Sequence, residues 1–100
     1  MKKRFVVLID SSTKEQNDAF LNFIRQSGVF GWWHWLNGSW LLVSSSPLNT
    51  SQQIRDKITE IYPGVNNIVL EFREDGTSTW NGFGPQSEER NMFKWMHENW

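Results

Sequence analysis

The order of apolar runs along this 100-residue chain predicts an α+β domain on a βαββαβ plan with an antiparallel sheet. Three observations carry that expectation. An apolar run near the start leads into a helix cap, an Asn-Gly pair joins two β-rich runs, and a second amphipathic helix leads into another alternating run.

The elements follow in order. Arg4–Asp10 has the pattern of a buried strand, with Phe5, Val7 and Ile9 on one side and Val6 and Leu8 on the other. Apolar residues on both sides suit a central position. Ser11-Ser12-Thr13 stops the strand and opens a helix, since Ser12 with Glu15, or Thr13 with Gln16, makes a capping box. Ala19, Phe20, Phe23, Ile24 and Ser27 form its inward stripe, and Gly28 is a natural residue to end it. Asn37-Gly38 then predicts a two-residue type I′ turn, which sets Leu36 opposite Ser39, Trp35 opposite Trp40 and Trp33 opposite Leu42. After a polar loop, Ile54, Ile58 and Ile61 mark a second helix ended by Tyr62-Pro63-Gly64. Asn66–Arg73 alternates as a fourth strand, with Ile68, Leu70 and Phe72 expected inward and Val69, Glu71 and Arg73 outward. Thr77–Trp80 leaves room for a short fifth strand, and Ser87 is the expected cap of an extra C-terminal helix striped by Met92, Phe93, Met96 and Trp100. The expectation is one ferredoxin-like domain over residues 1–100, with a core at 4–73 and a C-terminal extension at 74–100.

Composition narrows the function classes. No cysteine is present, which removes thiol chemistry, disulfides and cysteine-rich zinc sites. Ten Lys and Arg against eleven Asp and Glu give a net charge of −1, so charge does not support binding along a nucleic-acid backbone. The basic run Lys2-Lys3-Arg4 precedes only five apolar residues, too few for a signal-peptide core, and no stretch approaches membrane-spanning length. The default expectation is a cytoplasmic protein without a membrane partner.

Seven tryptophans are the unusual feature, four of them in the hairpin. The expected register gives one face of Trp32, His34, Leu36, Leu41 and Val43, and another of Trp33, Trp35, Trp40 and Leu42. The first is assigned to the helices. Trp33, Trp35 and Trp40 are then the candidate binding residues on the outer face. Two apolar faces require a cover on both, and the C-terminal segment, a second copy of the chain or a ligand could supply the second. Base stacking on the Trp rings is the weakest option, because Arg and Lys are not interleaved with them.

The run Gly31-Trp32-Trp33-His34-Trp35-Leu36-Asn37-Gly38-Ser39-Trp40, the segment Ile54-Arg55-Asp56 and the segment Trp80-Asn81-Gly82-Phe83 together resemble the small bacterial proteins labelled SinR family. The resemblance spans roughly residues 4–84. That group is similar in fold to the small ferredoxin-like subunit of the CRISPR adaptation complex and to VapD-like toxin ribonucleases. The resemblance implies a homodimer formed by strand exchange or edge pairing. It also implies that an aspartate ending the first strand, Asp10 here, faces its copy and can hold a divalent metal such as Mg²⁺. The basic residues those relatives turn toward duplex DNA have no counterpart here.

Read from the residues alone, the turn or cap residue at a strand end is the favoured reading of Asp10 over a metal ligand. His34 and His97 have no carboxylate spacing of a zinc site, and no Ser/His/Asp constellation can be assembled, so no catalytic residue is assigned. The leading expectation is a homodimeric binding or scaffold module related to the CRISPR-type small nucleases and without catalysis. The alternatives are a metal-dependent nuclease using paired Asp10 carboxylates and a phage or mobile-element inhibitor that engages a host protein through the Trp-rich face.

Overall fold

The structure is a computed structural model that describes residues 2–100, the side chain of Trp35 lying outside that description. Eight elements follow one another: β1 (Lys3–Ile9), α1 (Lys14–Ser27), β2 (Phe30–Leu36), β3 (Ser39–Ser44), α2 (Ser51–Ile61), β4 (Asn67–Arg73), β5 (Ser78–Phe83) and α3 (Met92–Asn99). The sheet is antiparallel throughout, in the order β2-β3-β1-β4-β5. This is the ferredoxin-like arrangement with a fifth strand and a C-terminal helix added, and β1 is central as its two apolar sides require.

Local chemistry sets the helix limits. Thr13 and Gln16 form the capping box of α1: the Thr13 Oγ1 accepts from the Gln16 N–H at 3.2 Å, and the Thr13 N–H donates to Gln16 Oε1 at 2.9 Å. Gly28 ends the helix with φ 72°, a left-handed conformation that costs glycine nothing. Thr50 caps α2 through Gln53 N–H. The last helix starts later than expected. Its cap is Asn91, not Ser87, and Ser87 instead accepts from the Arg90 N–H within the preceding loop. The fifth strand is likewise longer than Thr77–Trp80, reaching Phe83.

Phe5, Val7, Ile9, Trp40, Leu42 and Val69 pack from the sheet against Phe20 and Ile24 of α1, Ile54 and Ile58 of α2, and Tyr62. Tyr62 ties the two helices together by donating its hydroxyl to Asn17 Oδ1 at 2.8 Å.

Two orientations reverse the sequence expectation. In β4, Asn67, Val69 and Glu71 face the helices, while Ile68, Leu70 and Phe72 face away. Glu71 is 1% exposed because its partners are on that side: Oε1 accepts from the Ser51 N–H at 2.8 Å, Oε2 accepts from Arg73 Nε at 2.8 Å, and Lys3 Nζ lies 3.6 Å away. A carboxylate at the first turn of α2 also meets the positive end of the helix. In the hairpin, Trp40 and Leu42 are core residues at 1% exposure, whereas Leu41 and Val43 lie on the opposite face.

The hairpin register also differs. Leu36 pairs with Ser39 as expected, but a bulge between Trp33 and Leu36 sets Trp33 opposite Leu41 and Trp32 opposite Leu42. Among the described residues positive φ occurs at Gly28, Gly64 and Gly76, not at Asn37 or Gly38, so the turn is not type I′. Gly38 serves a different end: its carbonyl accepts from the Ile9 N–H at 2.7 Å, and a Cβ there would collide with the Ile9 carbonyl. Close approach to β1 explains the glycine.

Candidate functional site: an open apolar sheet face

Directly opposed residues of an antiparallel sheet share a face, so the pairings define the side turned away from α1 and α2. Its middle row runs Trp33-Leu41-Val6-Leu70-Trp80 across all five strands. One flanking row is Gly31-Val43-Arg4-Phe72-Ser78, and the other continues from Ser39 through Leu8 and Ile68 to Gly82. Arg4 is the one charged residue in these rows. Leu8, Trp33, Leu41, Val43 and Phe72 are between 38% and 46% exposed, so the face is solvated in the single chain.

With strands about 4.8 Å apart and same-face residues about 6.8 Å apart, the rows cover roughly 24 by 20 Å. That footprint, roughly 480 Å², lies within the range of apolar patches, about 300–600 Å², that monomers expose. The C-terminal segment supplies part of a cover. In α3, Phe93 and His97 lie against Trp80, at ring separations of 6.0 and 5.6 Å, and Met92 closes over Gly82. A Cβ on Gly82 would collide with the Asn67 carbonyl of β4, and one on Gly84 with Met92, so the second glycine is what lets the helix seat there. The helix thus forms a ridge along β5 and leaves the columns from β2 to β4 open.

The expected aromatic cluster is divided. Trp33 is on the open face, and the Trp35 side chain lies outside the described residues. Trp40 is in the core, its ring edge-on to Phe20 at 4.9 Å and stacked on His34 at 3.6 Å and 4°. The Trp40 indole N–H has no partner among the described residues. His34 is held by a 2.8 Å hydrogen bond between Nδ1, the donor, and the Ser39 carbonyl, so it is a packed histidine, as its sequence context suggested. Leu41, Val6 and Leu70, which make up the centre of the face, were not among the binding residues expected from the sequence, Leu41 and Leu70 having been expected to face the helices; the available signal was the apolar character of both sides of β1 and of the hairpin.

Asp10 is exposed just beyond β1, where its N–H donates to the Asn66 carbonyl at 3.0 Å. It borders an open groove of about 390 Å³ whose lining includes Leu8, Ser39, Asn67, Ile68 and Met92. Among the described residues no group of three or more His, Asp or Glu side chains could hold a metal. One chain therefore offers a single carboxylate here, and this donor set does not fit a Mg²⁺ site within one copy.

No helix among the described residues is long and apolar enough to cross a membrane. Comparisons with family models, curated proteins and solved structures found no match.

Proposed function

We propose that the chain is a homodimeric, non-catalytic binding module whose dimer surface is the open sheet face. The supporting observation is the row Trp33-Leu41-Val6-Leu70-Trp80, apolar across all five strands with a tryptophan at each end. Its central strands carry aliphatic side chains rather than rings, which suits burial under another protein surface better than stacking of bases.

The shape of the face favours a second copy. A two-fold axis in the interface plane and parallel to β1 lays Leu41 over Leu70 of the other copy and brings Trp33 up to the α3 ridge that flanks Trp80. The α3 ridge of each copy then lies beside the low β2 edge of the other. A perpendicular axis would instead drive the two ridges together. Covering the open columns together with the α3 ridge on both copies would bury on the order of 1,000 Å², the lower limit for a specific interface. The resemblance to the SinR-labelled proteins also implies a homodimer, one formed by strand exchange or edge pairing.

Leu41→Asp places a charge at the centre of the face without touching the core. Light scattering should report a dimer for the parent chain and a monomer for this variant, with far-UV circular dichroism unchanged. Mg²⁺- or Mn²⁺-dependent cleavage of RNA or DNA, lost in Asp10→Ala, would replace the reading with the nuclease one. A parent chain that stays monomeric and forms a one-to-one complex with a foreign protein would replace it with the inhibitor one.

A further inference from the structure

A second, polar cleft lies on the outer edge of β5, away from the open face's centre. It holds about 320 Å³ between α2, β5 and α3 and is lined by Arg55, Thr79, Trp80, Asn81, Gly82, Phe93 and His97. That volume is at the lower end of small-molecule sites. Arg55 and the Trp80–Phe83 segment, both singled out in the sequence, meet here: Arg55 Nη1 donates to the Gly82 carbonyl at 3.1 Å. Its Nε donates to Asp56 Oδ1 at 2.8 Å. A guanidinium carries five N–H donors. Three of Arg55's therefore have no partner among the described residues, and its side chain is only 25% exposed.

Backbone geometry adds donors of the same sign. The Gly82 carbonyl points outward to Arg55, so the Ile68–Gly82 pair is not hydrogen-bonded, and the Gly82 N–H points outward as well. Trp80, two residues earlier, shares that orientation. Thr79 contributes a hydroxyl and His97 a ring N–H. Asn81 is already engaged, donating to Ser51 Oγ at 2.8 Å. Addition of a peptide strand is blocked, because Arg55 occupies the Gly82 carbonyl and α3 stands over the edge. What remains is a small pocket of convergent donors walled by two aromatic rings.

We infer that this cleft binds a compact oxyanion, a phosphomonoester or a carboxylate, through Arg55, the Thr79 hydroxyl and the outward N–H groups of Trp80 and Gly82. Arginine suits that role because its planar fork matches the geometry of both anions. The inference stands independently of the dimer.

The test is an NMR titration of the ¹⁵N-labelled full chain with inorganic phosphate and, separately, with benzoate, against chloride at matched ionic strength. Saturable shifts confined to Thr79–Gly82 and the Arg55 Nε are expected, with a Kd of order 1 mM or tighter. The tighter of the two anions identifies the class of ligand. Arg55→Gln should weaken binding at least about tenfold, and Thr79→Val, which spares the Gly82 contact, should weaken it severalfold with no loss of fold. Shifts that do not saturate, that chloride reproduces, or that survive in both variants overturn the inference.

Discussion

Replacing Glu71 by alanine is the sharpest perturbation of the fold, because it tests which side of β4 faces the helices. The Glu71 carboxylate is 1% exposed and accepts from the Ser51 N–H and from Arg73 Nε, with the Lys3 ammonium 3.6 Å away. The Lys3 side chain is itself only 11% exposed and also donates to the Asn49 carbonyl at 2.8 Å. Glu71→Ala leaves that ammonium without its counter-charge and strips the acceptor from the Ser51 N–H in the first turn of α2. Breaking a buried pair from one side costs about 3–5 kcal/mol. For a domain of this size that corresponds to a fall in Tm of roughly 15–30 °C. Thermal unfolding followed by circular dichroism reads it directly. The double variant Lys3→Met with Glu71→Leu should recover most of the loss, since apolar replacement of a buried pair is often neutral. A Glu71→Ala change below about 0.5 kcal/mol, the range of ordinary surface substitutions, would refute the orientation.

Trp40→Ala should destabilise by about 3–5 kcal/mol, as large-to-small core changes do, measured by urea unfolding. Trp40→Phe should lose less, because it also removes an indole N–H that has no partner among the described residues. Burial pushes the Tyr62 phenol up from its usual value. The folded chain therefore holds that proton where the unfolded chain releases it. The resulting stabilisation is complete below about pH 10 and is lost as pH rises further. Urea midpoints between about pH 9 and 11 should fall more steeply for the parent than for Tyr62→Phe, and parallel slopes would exclude the burial effect.

The elements were legible because their signals are local. The Thr13–Gln16 box, Gly28 and the alternation of β1 each act within a few residues, and they set order and topology. Which face of a strand is buried was less legible, and β3 and β4 failed for different reasons. In β3 apolar residues lie on both sides, so alternation cannot choose between them, whereas in β4 alternation points to Ile68, Leu70 and Phe72 and the structure turns that more apolar side away from the helices. In β4 the choice is made by partners far along the chain, since Glu71 meets Lys3 and the start of α2. In the hairpin it is made by the fit of Trp40 against Phe20, and the bulge then reverses Trp32 and Trp33 relative to their expected partners. The need for a cover on the second face was visible in the sequence. Its composition was not, because Leu41, Val6 and Leu70 become neighbours only when three non-consecutive strands are set in register. The Arg55–Gly82 contact was hidden for a related reason, as it depends on β5 extending beyond Trp80 to Phe83.

Sedimentation equilibrium over a dilution series tests the central claim most directly. The chain mass is 11.8 kDa. At micromolar concentration the parent should sediment at twice that mass, and Leu41→Asp, equally folded, at the single-chain mass. A parent chain that is monomeric throughout the series, or a Leu41→Asp variant that remains dimeric, would contradict the assignment of the open sheet face as the dimer surface.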